Sequence, residues 1–312
     1  MRYSLKALCS LFAISVGVSV ARGDFVFVPQ SGGNDASALP FLIPPSYKPS
    51  VRYQQVYGAS DFLLRTNTPL LITELSFAWG AGGGGLPDRT LTNLQINLSS
   101  TPRMPDLLSH IFSENIGPDD RVVYSGRYRL TNANCCGPFL LQIGLQQPFI
   151  YDARIGNLLL DVRNFQTAEG PPFPPGQPLL LTATNYNDTV SSVAAFDVMA
   201  LEAEPIFDPS EGLVTRFTVT PLPSLMVSLQ SGNLLIRWPK QFDRYVLQES
   251  GTLSPGALWQ AAGGTISTNG AYKEVSLPLD SQVPGRFYRL ELPPSLAAQS
   301  NVSAITLSRS KD

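Results

Sequence analysis

The sequence predicts an all-β protein: a jelly-roll-like β-sandwich followed by a smaller β-sandwich, behind an export signal. Three observations predict it. Apolar residues recur at every second position through many short stretches, the pattern of strands with one face on a core and one in water. Glycine and proline, 25 and 27 of 312 residues, separate those stretches by turns while staying below the roughly one in four of a low-complexity coil. The hydrophobic share of 43% is enough to build cores, and no long helical periodicity supplies the crossovers that a parallel sheet needs.

The elements follow in order. Residues 1–23 read as a signal peptide, with Arg2 and Lys6 at a positive start, an apolar stretch from Leu8 to Val20, and Ala21-Arg22-Gly23 as a small-x-small cleavage site. Cleavage is expected between Gly23 and Asp24. The apolar stretch is shorter than the ~20 residues that cross a bilayer, and no second one follows, so no transmembrane segment is expected in the mature chain. Cys9 has too little apolar chain before it, and Leu8 beside it, for a lipidated cysteine. The expected location is secreted, periplasmic or at the cell surface. Of the 22 bases, Arg2, Lys6 and Arg22 leave with the signal, so 19 face 24 acids and the net charge becomes −5. A mildly acidic chain without a basic run excludes nucleic acid as an expected partner.

From Asp24 to Thr220 the alternation predicts the first sandwich. Leu94, Ile96 and Leu98 alternate with Asn93, Gln95 and Asn97; Val122, Tyr124, Tyr128 and Leu130 alternate with Val123, Ser125, Arg127 and Arg129. Phe139, Leu141, Ile143 and Leu145 face away from Gln142 and Gln146, and Leu158, Leu160 and Val162 away from Asp161 and Arg163. Further strands are expected over Phe25–Val28, Val51–Tyr57, Leu70–Phe77, Leu179–Ala183, Val193–Val198 and Leu213–Val219. One stretch differs: Leu107, Leu108, Ile111 and Phe112 sit at helical spacing within Met104–Asn115, behind Pro105, which predicts a short helix on the sandwich. Pro221 and Pro223 mark the linker, and residues 221–308 repeat the alternation in a second sandwich, leaving 309–312 as a polar tail.

Arg52-Tyr53-Gln54-Gln55-Val56-Tyr57 resembles a segment of uncharacterised exported proteins of the PEP-CTERM-associated type. So do Leu94-Gln95-Ile96-Asn97-Leu98-Ser99, then Leu108-Ser109 with Phe112, Asn115 and Gly117, then Gly156-Asn157-Leu158-Leu159-Leu160-Asp161-Val162. The resemblance implies export and assigns no functional residue. The sorting signal itself, a Pro-Glu-Pro with an apolar tail and basic end, is not in the chain. In the second domain Leu235-Ile236-Arg237-Trp238-Pro239, Tyr245 to Ser250, Trp259 and Phe287-Tyr288-Arg289-Leu290 are similar to fibronectin type III-like modules of secreted Verrucomicrobia and Planctomycetes proteins. That likeness implies a spacer or contact surface, with the aromatics stacked across a two-sheet core.

Catalytic chemistry finds little to stand on. His110 is the sole histidine, falls on the polar side of the expected helix, and has no Gly-x-Ser-x-Gly elbow to serve. One histidine and two adjacent cysteines do not make a zinc tetrahedron. Cys135 and Cys136, the thiols left after export, are open to three states: unpaired, a vicinal disulfide, or an intermolecular bond. A trans peptide puts neighbouring Cα atoms ~3.8 Å apart, tighter than a relaxed bridge. Gly82–Gly85 lacks the Lys-Ser/Thr of a phosphate loop and reads as a hairpin tip. Glu202, Glu204, Asp208 and Glu211 are the candidate carboxylates of a glycosidase-like hydrolase, against the plainer reading of an acidic loop. Their oxygens, like those of Asp119-Asp120 and Asn185 to Asp188, also suit structural calcium; no other cofactor is expected. Trp79, at a strand end beside the glycine run, is either a core residue or a ring that stacks on a sugar. Sequons occur at Asn97, Asn187 and Asn301. The sum is an expectation of a non-enzymatic exported protein that binds or spaces, with polysaccharide or cell-surface and matrix components as partners, and a secreted carboxylate-dependent hydrolase as the alternative.

Overall fold

The computed structural model describes residues 24–42, 50–80, 89–130, 139–165, 180–205, 209–254, 256–278 and 285–291, together with two strands at 12–15 and 304–307. The chain divides into two compact units, Gly23–Pro221 and Leu222–Asp312, the second also holding Met1–Arg22. Almost all regular structure is antiparallel sheet.

The first unit is a sandwich. Its larger sheet runs β11 (Val190–Ala195), β4 (Val51–Tyr57), β9 (Asn157–Asn164), β6 (Arg89–Thr101) and β7 (Arg121–Leu130). Its smaller sheet runs β2 (Asp24–Val28), β13 (Thr215–Pro221), β5 (Leu70–Ala78) and β8 (Phe139–Tyr151), and a third of three short strands joins β12 (Gly212–Leu213), β10 (Leu180–Ala183) and β3 (Asp35–Ser37). The pairing is nested: β6 with β7, β5 with β8, β4 with β9, β3 with β10, and β2 with β13. A long two-stranded ribbon folded over into two sheets gives that order, which is the winding of a jelly roll. Because side chains alternate, each strand sends every second residue inward, and Leu94, Ile96, Leu98, Leu141, Ile143, Leu158, Leu160 and Val162 meet in one core. At its centre Phe62 packs on Tyr151 and Phe217 at 4.8 and 5.1 Å between ring centroids, and Tyr57 on Phe217 at 4.9 Å, tilted or edge-on as ring quadrupoles prefer.

Two local expectations are corrected. Met104–Asn115 is not a helix. Leu107 N–H closes a turn onto Met104 O, Asp106 takes a left-handed φ of 62°, and Ile111 bridges to Glu202 like a strand, leaving a single 3-10 turn at Phe112–Glu114. The Asn115 side chain accepts from Ser109 N–H and donates to Ser109 O, closing the loop with bonds that compete with helical ones. The α-helix of this unit is instead α1 (Ala59–Leu63), a single turn too short to show periodicity, which drives Phe62 into the core.

The second unit packs the sheet β14 (Met226–Gln230), β15 (Asn233–Pro239), β19 (Tyr272–Pro278) and β18 (Ser267–Asn269) with a second sheet. The latter runs β17 (Gln260–Ala261), β16 (Val246–Ser250), β20 (Phe287–Glu291) and β21 (Ala304–Leu307), bordered by β1 (Phe12–Ser15). Trp238 is its largest fully buried side chain, clustered with Ile236, Leu247, Val275, Leu277, Tyr288 and Leu290, with Tyr245 against them. Trp259 lies outside that cluster, under the Arg289 guanidinium at 4.3 Å.

Candidate functional site

The two outer faces of the first sandwich differ. Along β4 the outward face carries the polar Arg52 and Gln54, which the alternation alone would put in water; the structure buries them. Arg52, Gln54 and, on β9, Asp161 are 7%, 0% and 2% exposed. Arg52 Nη2 and Nε donate to the two Asp161 oxygens at 2.9 and 3.4 Å, and Gln54 Nε2 donates to Asp161 Oδ2 at 3.0 Å. Asn115 Nδ2 donates to Gln54 Oε1, Arg52 lies 4.5 Å over the Phe112 ring, and Arg52 Nη1 reaches Ala200 O. The lid is the segment after β6, with Phe112 packed on Val193 and Ala195 of β11 and flanked by Leu108, Ala200 and Ala203. Gly117 makes the close approach possible: a Cβ there would stand 1.5 Å from Ser100 O. Arg52, Gln54, Asn97, Ser99, Phe112, Asn115, Gly117 and Asp161, far apart in sequence, thus meet in or beside one knot. Asn97 is held there between Gln95 and Asp120, 6% exposed, and is no glycan acceptor. Burial, opposed by the Asn97 hydrogen bond and raised further by Asp161, pushes the Asp120 carboxyl up.

The outer face of the four-stranded sheet is open. Val26, Val28, Phe217, Val219, Leu75, Phe77, Leu141 and Ile143 point inward, so their neighbours point out. Two rows cross the sheet: Phe27, Arg216, Ser76, Gln142, and Phe25, Thr218, Glu74, Gly144. A register shift between Phe77 and Ala78 leaves Leu140 as an extra residue in β8 and turns Phe139 to the same face, 5.4 Å from Phe27. The Arg216 guanidinium sits between two rings, 4.7 Å from Phe25 and 5.0 Å from Phe139. Its Nη2 donates to Ser76 Oγ at 3.0 Å and lies 3.6 Å from Glu74 Oε1, which also accepts from Ser76 and Thr218. Phe25 remains 43% exposed. Behind this face Tyr128 donates to Gln142 O, and burial, with Tyr124 and Glu74 adding, pushes its hydroxyl up to about 12. The face therefore offers ring surface, amide and hydroxyl groups, and an ion pair already closed on itself. Among the described residues it presents one carboxylate, Glu74, held by Ser76 and Thr218 with Arg216 at 3.6 Å, and no second acid across from it.

A second polar cluster lies at the β11 end of the sandwich. Asp106 accepts from Asn187 N–H, Asp188 from Val190 N–H, and Asp61 from Thr189 Oγ1 at 2.5 Å. Asp106 Oδ1 and Asp188 Oδ2 are buried without a partner. Burial is the first cause pushing Asp61 and Asp188 up, and for Asp188 the charges of Asp106 and Asp61 add to it. Among the described residues no three His, Cys, Asp or Glu side chains are grouped as a metal ion would need.

The residues singled out in the sequence fall as follows. Trp79 is half-buried, packed against the core and bridged to Leu180, away from the open face. His110 is exposed and its carbonyl accepts from Ala203 N–H. Glu204 caps Phe196 N–H, Glu202 opposes Ile111, and Glu211 accepts Ser192 Oγ through its carbonyl, so the three acids sit on separate anchors. Asp119 accepts from Ser100 N–H. Gly23, Gly82–Gly85, Cys135, Cys136, Asp208 and Asn301 lie outside the described residues. Phe25, Glu74 and Arg216 were missed as a site because they join only across strands; the one local signal is Phe25 and Phe27 on a strand where polar residues would be expected to face out.

No protein-family model and no curated protein matches the chain. Among solved structures it is similar to a β-D-glucuronidase of Dictyoglomus thermophilum, at 11% identity and a TM-score of 0.18, over 94% of this chain and 43% of that one. The chain thus spans under half of that structure, and a likeness this slight carries no argument.

Proposed function

We propose that this is an exported, non-enzymatic binding protein that engages an extracellular polymer, polysaccharide or other matrix, across the open face of its four-stranded sheet. The observation that carries the reading is Phe25, 43% exposed on a flat face and backed by Arg216. A single exposed ring is ordinary on a protein surface, but Phe25 is grouped with Phe27 and Phe139 around Arg216, and clustered rings flanked by a few fixed polar groups are the usual makings of a ligand site. The second unit serves as spacer or contact module. Its strand order, β14-β15-β19-β18 against β17-β16-β20-β21, supports a fibronectin III-like or immunoglobulin-like reading.

Export is part of the proposal, and N-terminal sequencing of protein recovered outside the cell is expected to begin at Asp24. Function is tested by a glycan array run beside a broad hydrolase screen on that mature protein. Retention with unchanged ligand is the expected result. Released sugar would instead favour a carboxylate-dependent hydrolase, which needs two carboxyl groups about 5 to 10 Å apart.

A further inference from the structure

We infer that the polymer is uncharged, and that it is gripped along its length rather than by its end. The inference rests on the polymer-binding reading and narrows it. Among the outward residues of β2, β13, β5 and β8 the one cation is Arg216, and its charge is already answered by Glu74 at 3.6 Å and its Nη2 by Ser76. Recognition of uronate or sulfate groups depends on guanidinium or ammonium donors that are uncompensated and within a ligand's reach; Arg216 Nε has no partner, but it is buried, and the charge stands beside Glu74. The rest of the face, Thr218, Gln142, Ser76 and Gly144, is neutral. At longer range the mature chain, with 19 bases against 24 acids, repels a polyanion.

A cationic polymer is disfavoured for a different reason. The electron-rich face of an aromatic ring attracts a cation, but the Phe25 and Phe139 rings already share Arg216. What remains on Phe25 is ring surface for apolar C–H groups, such as one side of a pyranose with equatorial hydroxyls presents, with the partly exposed Thr218 and Gln142 side chains on the same face for those hydroxyls, Ser76 being buried.

The grip along the chain follows from the shape of the face. The row from Phe25 to Gly144 crosses three inter-strand spacings, about 14 Å at ~4.8 Å each. Among the described residues no wall closes it at Gly144, which is exposed and where an added Cβ would meet nothing within 4 Å. A polymer laid along the row runs off the sheet edge unhindered.

The test is affinity electrophoresis of the mature chain in gels containing hydroxyethylcellulose, xylan or galactomannan, against gels containing polygalacturonate or heparin. Retardation is expected in a neutral gel and in none of the charged ones. Phe25→Ala should weaken it about tenfold, which corresponds to 1.4 kcal/mol, while Phe25→Trp retains it; unchanged circular dichroism checks that each variant is folded. Glu74→Gln should release Arg216 and bring retardation in polygalacturonate. Retardation of the native chain in a charged gel, or neutral binding undiminished in Phe25→Ala, overturns this inference and leaves polymer binding standing. No retardation in any gel overturns polymer binding itself.

Discussion

Replacing Arg52 by Met should cost the first unit about 3 kcal/mol, and the figure follows from what the change leaves behind. Methionine keeps the apolar stem against Phe112 and removes the guanidinium that holds both oxygens of Asp161. Asp161, 2% exposed, then stands as a buried carboxylate with Gln54 at 3.0 Å and Arg163 at 3.6 Å. Breaking a buried pair from one side costs about 3–5 kcal/mol, and the two surviving partners place this case at the lower end. For a unit of this length ~1 kcal/mol moves Tm by roughly 2–4 °C, so a fall of about 6–12 °C is expected. Arg154→Met is the control. Its partner Asp152 lies at 2.6 Å, closer than in the buried pair, yet Arg154 is 48% exposed in its side chain, and the loss should stay under about 1 kcal/mol. Adding Asp161→Leu to Arg52→Met removes the stranded charge and should restore much of the stability. Urea melts of the four proteins decide it. If Arg52→Met costs no more than Arg154→Met, or the double variant is weaker than the single, the knot is not a desolvated ion pair and the closed face has been misread.

Asp188→Asn should be more stable than the native chain at pH 7. Burial pushes Asp188 up, with Asp106 and Asp61 adding against the Val190 hydrogen bond, so its ionised form costs stability above the folded pKa, and the cost vanishes as pH falls below the unfolded value near 3.9. The Tm gap between variant and native chain should therefore close on acidification; a gap that widens refutes the assignment. Gly117→Ala should cost at least about 2–3 kcal/mol, because the Cβ meets a backbone carbonyl, whereas Gly144→Ala, facing open space, should leave the melt within ~0.5 kcal/mol. Trp238→Phe removes an indole N–H that is buried without a partner, so it should cost clearly less than the ~3–5 kcal/mol of Trp238→Ala; equal losses in denaturant melts would place that N–H on an acceptor.

Where a strand has one face on the core, the sequence was transparent. Leu94 and Ile96 alternate with Asn93 and Gln95 because solvent and core alternate along the first half of β6, and both are fully buried. That reasoning fails where a face is covered by another segment. Asp161 and Gln54 read as solvent-facing, but the chain after β6 returns over them, and nothing local announces a lid whose contacts span more than fifty residues. Met104–Asn115 shows the opposite error: its helical spacing is real, yet pairing of Ile111 with Glu202 and the Asn115 side chain outweigh so short a helix. The open face was illegible for two other reasons. Phe25 and Arg216 become neighbours through pairing of β2 with β13, and Phe139 joins them only because one extra residue in β8 reverses which side it faces.

The contrast between the two faces also bears on which of them can act. A buried ion pair and its hydrogen bonds are costly to rearrange, so a lid fixed by Arg52, Asp161 and Asn115 holds the five-stranded sheet in one arrangement and shuts it to ligands. The open face has the reverse design, since its one ion pair, Arg216 with Glu74, is partly exposed and braces Phe25 without covering it. Phe25 lies on β2, an edge strand paired on one side with β13, and a ring on an edge strand would swing freely if nothing backed it. Arg216, itself fixed by Ser76 and Glu74, supplies that backing, and under the proposed function it would set the ring before a ligand arrives and lower the ordering cost of binding. On this account Arg216 acts through Phe25, and a flat face can hold a polymer without a pocket because its single projecting ring is already in place.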